Sequence, residues 1–86
     1  MRERRSKDRI IMEILSRCAN GENITRIVYQ TNTNFTTVRA YLNLLTKNNL
    51  LECQGTSPIL YRTTAKGIET MNRLRQIQEV VKKLVV

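Results

Sequence analysis

Asn23-Ile24-Thr25-Arg26-Ile27-Val28-Tyr29-Gln30-Thr31-Asn32-Thr33-Asn34-Phe35-Thr36-Thr37-Val38-Arg39-Ala40-Tyr41-Leu42-Asn43-Leu44-Leu45-Thr46-Lys47 is the stretch on which the fold turns. Asn23 is a ready helix cap, and Ile24, Ile27 and Val28 recur on one face of a short helix. Thr31 to Asn34 are poor helix formers whose side chains bond to nearby backbone, so they interrupt the pattern. A stronger face follows in Phe35, Val38, Leu42 and Leu45, with Tyr41 and Leu44 on its flanks. Lys47, Asn48 and Asn49 give it a cationic, polar end. Two helices joined by a short polar turn form the outline of a helix-turn-helix.

Upstream, Ser6 is placed to cap a first helix, with Asp8 in the turn where negative charge suits the helix dipole. Ile10, Ile11, Ile14, Leu15 and Cys18 mark its apolar face, and Asn20-Gly21 ends it, so this helix is expected over 6–19. Downstream, Leu50 to Cys53 and Ile59 to Arg62 read as short strands around the turn Gln54-Gly55-Thr56-Ser57-Pro58. Thr63 or Thr64 then caps a last helix reaching the C-terminus, roughly 33 Å long over about 22 residues. The expected fold is mainly α with a small β-hairpin: a winged helix-turn-helix over 1–67, carrying a basic N-terminal arm, plus a long C-terminal dimerisation helix over 68–86.

Composition narrows the function. The 86 residues suit one domain of modest core, and a 41% hydrophobic content is too high for a disordered tail. Fifteen Lys and Arg against seven Asp and Glu leave a formal charge of +8, which favours a polyanionic partner. No apolar run approaches the roughly 20 residues that span a bilayer, and the charged N-terminus does not read as a secretory signal. No membrane partner is expected, and the expected location is cytoplasmic, on the nucleoid. With no histidine and two cysteines, no metal site or disulfide scaffold is expected, and no cofactor or small-molecule ligand is evident. Cys18 lies on a helix's apolar stripe and reads as a buried small hydrophobe; Cys53 reads as structural, an exposed thiol being the other possibility. The carboxylates are scattered and no nucleophile motif or Gly-rich phosphate loop is present, so no enzyme is expected.

The functional signal is concentrated on the third helix. With its apolar face inward, the opposite face presents Thr36, Arg39, Ala40, Asn43 and Lys47. Arg can bind guanine with two hydrogen bonds, Asn can bind adenine, Thr can reach phosphate or a thymine methyl, and Ala permits close approach. The hydroxyls of Thr36 and Thr37, with free amides at the helix start, suit a phosphate. Arg26 on the preceding helix joins this set, and the hairpin contributes Thr56, Ser57 and Arg62. In the arm, Arg4 and Arg5 suit attraction to the DNA backbone. The competing reading is an ordinary solvated face. A winged-helix docking module with incidental charge is the alternative from another class; Arg39 and Lys47, with no carboxylate on the same face, favour double-stranded DNA.

In the last helix, Leu74, Ile77, Val81 and Leu84 follow a coiled-coil spacing, and Met71, Val80 and Val85 widen the stripe. Ile68 and Met71 also suit the domain core. Burying four such side chains is worth roughly 1.5–3 kcal/mol each, so a second copy of the chain is the expected cover. The other possibility is a helix folded back onto its own domain.

Taken together, Arg5-Ser6-Lys7, Ile24-Thr25-Arg26-Ile27-Val28-Tyr29, Tyr41-Leu42-Asn43-Leu44-Leu45, Asn49-Leu50-Leu51 and Tyr61-Arg62-Thr63-Thr64-Ala65-Lys66-Gly67 span nearly the whole chain. In their order and spacing the chain resembles archaeal winged-helix proteins of about ten kilodaltons. The resemblance implies DNA binding by a two-fold dimer through an antiparallel C-terminal coiled coil, in a chromatin or regulatory role. The chain departs from that pattern in two places: Thr63 stands where an apolar residue is usual, and Asn49 where glycine is common before the first wing strand.

Overall fold

The computed structural model describes residues 6–84. Its elements run α1 (Lys7–Arg17), α2 (Ile24–Thr31), α3 (Phe35–Lys47), β1 (Leu51–Gln54), β2 (Leu60–Thr63) and α4 (Ala65–Leu84). The expected fold class is the one observed.

Each of the first three helices starts on a side-chain cap. Ser6 accepts from the Arg9 amide at 3.2 Å, Asn23 from Arg26 at 3.0 Å and Asn34 from Thr37 at 2.8 Å, each satisfying a donor that lacks a partner within the helix. Their ends use left-handed or turn geometry. Gly21 closes the α1 end at φ +90°, and Asn32 closes α2 at φ +53°. α1 is shorter than expected, stopping at Arg17 with Cys18 as its cap. After α3, Asn49 takes φ +63°, a conformation that asparagine tolerates better than most residues. That resolves the missing glycine. The Leu50 amide then returns to the Leu45 carbonyl at 2.9 Å. Because Leu50 is used in closing α3, β1 begins at Leu51, one residue later than expected.

β1 and β2 pair antiparallel, from Leu51 with Thr63 to Gln54 with Leu60. A further bridge has no local signal in the sequence. Glu22, in the α1–α2 connection, donates to Tyr61 at 3.0 Å and accepts from it at 2.8 Å. It holds the hairpin against the helix-turn-helix and so fixes where the wing stands relative to α3.

Ile14, Leu15, Cys18, Ile27, Val38, Leu42, Leu45, Leu51 and Met71 form the core. Two expectations change here. Phe35 is 46% exposed: it is the first residue of α3, and its side chain projects beyond the turn that the core covers. Met71, expected on the dimer stripe as well as in the core, is only 8% exposed and packs within its own chain. Cys18 is fully buried, as expected, whereas the Cys53 thiol is exposed. Burial, followed by the charge of Glu22, pushes the Cys18 pKa up to about 12.

The wing-to-α4 junction explains the other departure from the family pattern. Thr63 is buried and its hydroxyl donates to the Leu15 carbonyl at 2.6 Å. That carbonyl lies in the last turn of α1, where helix geometry leaves acceptors without helical donors. A hydroxyl here meets a need that an apolar residue cannot. Thr64 caps α4: its hydroxyl accepts from Gly67 at 3.0 Å and donates to the Asn49 carbonyl at 2.7 Å. α4 runs unbroken through Gly67 and Ile68, packs against α1, and then leaves the core.

Candidate nucleic-acid interface

Helical geometry divides α3 cleanly. Val38, Leu42 and Leu45 face the core, while Thr36, Arg39, Ala40, Asn43 and Lys47 are exposed on the other side. No carboxylate occurs in α3, and Arg39 has no ion-pair partner among the described residues. Thr37 differs from expectation. It is half-buried, and its amide is already held by Asn34, so only its hydroxyl is left to offer at the helix start. Thr36 keeps its place on the exposed face.

Arg26 is exposed, but its Nε lies 3.3 Å from Glu22 Oε1, one turn earlier. Its charge is therefore partly matched, and Arg39 is the stronger uncompensated positive centre. On the wing, Thr56 and Ser57 stand exposed in the turn. Arg62 is exposed opposite Glu52 in the strand register. Because adjacent strand residues point to opposite faces, Arg62 lies across the hairpin from Tyr61. The structure thus brings Thr56 toward α3 but keeps Arg62 apart. Arg4 and Arg5 fall outside the described residues.

Between α2, α3 and the wing lies an open cleft of about 620 Å³. Ile24 and Arg26 border it from α2, Arg39 and Asn43 from α3, and Thr56, Ile59 and Tyr61 from the wing. Burial raises the Tyr61 pKa, aided by the Cys53 and Cys18 thiols, while the Arg39 charge acts in the opposite direction. A shallower depression along α3 is shared by Phe35, Thr36, Arg39, Ala40 and Asn43.

On α4, Leu74 is half-buried, while Ile77, Val80, Val81 and Leu84 are exposed by 59%, 57%, 50% and 77%. They form an apolar strip that the chain itself leaves uncovered. Val85 lies outside the described residues. Ile77 and Val81 also border a broad groove whose other wall includes Met12 and Ser16 of α1.

Residues 4–82 match the winged helix-turn-helix family. The chain belongs to that family. Among solved structures, this winged helix is similar to Sso10a-2, a DNA-binding protein from Sulfolobus solfataricus, with a TM-score of 0.84 at 24% identity, covering 94% of this chain and 86% of that one. It also resembles the homodimeric winged helix-turn-helix DNA-binding domain of Mb0332 from Mycobacterium bovis, described as a possible ArsR-family regulator (TM-score 0.61, 20% identity, 96% and 92% coverage). BpsR from Bordetella bronchiseptica, whose DNA binding is regulated by 6-hydroxynicotinic acid, matches at a TM-score of 0.75 and 16% identity, with 94% of this chain covering 60% of that one. No curated protein matches. No helix among the described residues is long and apolar enough to cross a membrane.

Sequence reasoning missed several residues of this winged helix. Leu44 is 49% exposed on the outward side of α3, four residues after Ala40 and three before Lys47. Helical spacing from those neighbours was a sufficient signal for it. Tyr29 is exposed on α2 by 82%. Ile59 and Tyr61 enter the cleft through the Glu22 bridge, which joins positions too far apart for periodicity to reveal.

Proposed function

We propose that the chain binds double-stranded DNA as a homodimer, acting as a transcriptional regulator or a nucleoid-associated chromatin protein. The observation that carries this reading is the outward face of α3: Arg39, Asn43, Thr36, Ala40 and Lys47 exposed together without an opposing carboxylate. A major groove admits such a helix, with Arg39 and Asn43 suited to base edges and Lys47 to phosphate. Thr56 and Ser57 of the wing, Arg26 and Arg62, and the Arg4 and Arg5 arm add backbone contacts in this reading. Thr37 contributes through its hydroxyl alone.

The division of labour places DNA contact in 1–67 and pairing in 68–86. Leu74, Ile77, Val81 and Leu84 form the dimer seam in this reading, supported by the exposure of Ile77, Val81 and Leu84 and by the resemblance to archaeal winged-helix proteins, which implies pairing through the C-terminal helix. The antiparallel arrangement and the archaeal affinity rest on the family resemblance, to which the likeness to the Sulfolobus protein adds fold support. The DNA-binding and homodimeric descriptions of the neighbours support the same reading.

Fluorescence anisotropy with a labelled duplex tests it. With Lys47, Arg26, Arg62, Arg4 and Arg5 of each protomer on the backbone, a dimer neutralising about six to ten phosphates implies a loss of affinity of about 10³–10⁵ between 50 and 200 mM salt through counterion release. Sedimentation should show a dimer that Ile77→Glu with Val81→Glu converts to monomer. A dimer with no affinity for duplex at low salt would instead favour a protein-docking module.

A further inference from the structure

We propose that Leu44 selects bases: with Ala40 and the Thr36 methyl it forms an apolar notch on α3 that takes the C5-methyl of a thymine. This role rests on the DNA-binding reading above and adds a specificity determinant to it. Thr36, Ala40 and Leu44 stand four residues apart on one row of α3, about 6 Å per step along the axis. All three are exposed, Leu44 by 49%. Ala40 carries only a methyl, so the row dips at its centre, within the depression that Thr36 and Ala40 share with Asn43. Long helical side chains lean toward the preceding turn, which lays Leu44 along one edge of the dip, with Thr36 at the other. The Leu44 backbone is well held: its carbonyl accepts from the Asn48 amide at 3.1 Å and from Asn48 Nδ2 at 2.8 Å. The helix therefore stays regular through its last turn. Counted at about 100° per residue, Leu44 lies nearer the middle of the outward face than Arg39 does. A helix seated deeply enough for Arg39 to reach a base edge brings Leu44 to the groove as well.

The occupant follows from what surrounds the notch. Arg39, Asn43 and Lys47 flank it and α3 has no carboxylate, so a polyanion suits it better than a neutral or basic protein surface. Among the four bases only thymine presents a methyl in the major groove, and its partner adenine offers the donor and acceptor that Asn43, next to Leu44, can bind. 5-Methylcytosine carries the same methyl, but opposite a guanine that offers Asn43 acceptors only. Thymine is therefore the base assigned.

The test measures the affinity of the full chain, by fluorescence anisotropy at one fixed salt concentration, for a labelled duplex of alternating adenine and thymine and for the same duplex with deoxyuridine in place of thymidine. Burying one methyl implies a preference for thymine of about four-fold for each protomer on the duplex. Uracil also alters duplex shape, but that effect is common to parent and variant, so a double-mutant cycle with Leu44→Ala removes it. Leu44→Ala should bring the ratio down to about two or below while leaving affinity for the uracil duplex little changed. An unchanged thermal melt shows that the variant, altered at an exposed position, is folded. Equal binding of the two duplexes by the parent, or a preference that survives Leu44→Ala, would overturn the proposal. So would a larger gain from methylating cytosine in an alternating guanine–cytosine duplex than from the thymine methyl. Binding of both duplexes without discrimination counts against the notch alone, whereas binding of neither counts against the DNA reading and the notch together.

Discussion

Replacing Gly67 by alanine sets two effects of known size against each other. Gly67 lies in the first turns of α4, where alanine is intrinsically better by about 1 kcal/mol. A Cβ there, however, would stand 2.3 Å from the Leu50 carbonyl oxygen and 2.6 Å from Thr63 Cγ2. The first neighbour is backbone and is itself held: the Thr64 amide donates to that oxygen at 3.0 Å, and Leu50 is tied to Leu45 at 2.9 Å. Relief therefore requires α4 to move away from the α3–β1 corner, stretching those bonds and opening the packing around Met71. Overpacking costs about 1–3 kcal/mol, and each weakened hydrogen bond about another 1 kcal/mol. The clash wins, by a net of about 2–3 kcal/mol once helix propensity is subtracted. For a domain of this size that lowers Tm by roughly 10–20 °C. Thermal melts followed by circular dichroism, at one fixed protein concentration because a dimer's Tm depends on it, provide the assay. A Gly67→Ala protein as stable as the parent, or more so, would show that helix propensity governs this position and that the close junction is wrong.

Thr63→Val keeps the shape but strands the Leu15 carbonyl; urea unfolding should show a loss of about 1–3 kcal/mol, and no loss would refute the assigned role of the hydroxyl. Asn49→Ala should cost about 1 kcal/mol in the same assay because of its positive φ, while Asn49→Gly should be close to neutral. For Cys18 the folded-state pKa is raised from 9.0 to about 12, so the unfolded chain releases this proton first. Its contribution is complete below pH 9 and drains as pH rises toward 12, visible as a falling urea midpoint in that window. Alkylation of the native protein at pH 8 should modify Cys53 quickly and Cys18 only at the rate of unfolding.

How far the chain could be read in advance follows from the range of each interaction. Ser6, Asn23 and Asn34 announce their helices because a cap bonds to an amide three residues away. The division of α3 into a core face and an exposed face follows from helical periodicity, which is why Thr36, Arg39, Ala40, Asn43 and Lys47 were legible. Phe35 and Met71 shared an apolar period with their neighbours, but burial depends on where the rest of the fold ends, and that lies outside the local pattern. Thr37 was expected to offer its hydroxyl beside free helix-start amides, but its own amide is taken by the Asn34 cap, which leaves the hydroxyl alone. The cleft was the least legible feature. It depends on Glu22 meeting Tyr61 across the fold, a backbone pairing to which no side-chain pattern corresponds.

The central claim concerns which surface meets the duplex, and a residue-resolved titration addresses it most directly. Amide NMR of the full chain with a short DNA duplex, in moderate salt, should shift Thr36, Arg39, Ala40 and Asn43 most strongly, followed by Thr56 and Ser57. Shifts confined to α1 and α4, with the exposed side of α3 unchanged, would contradict it.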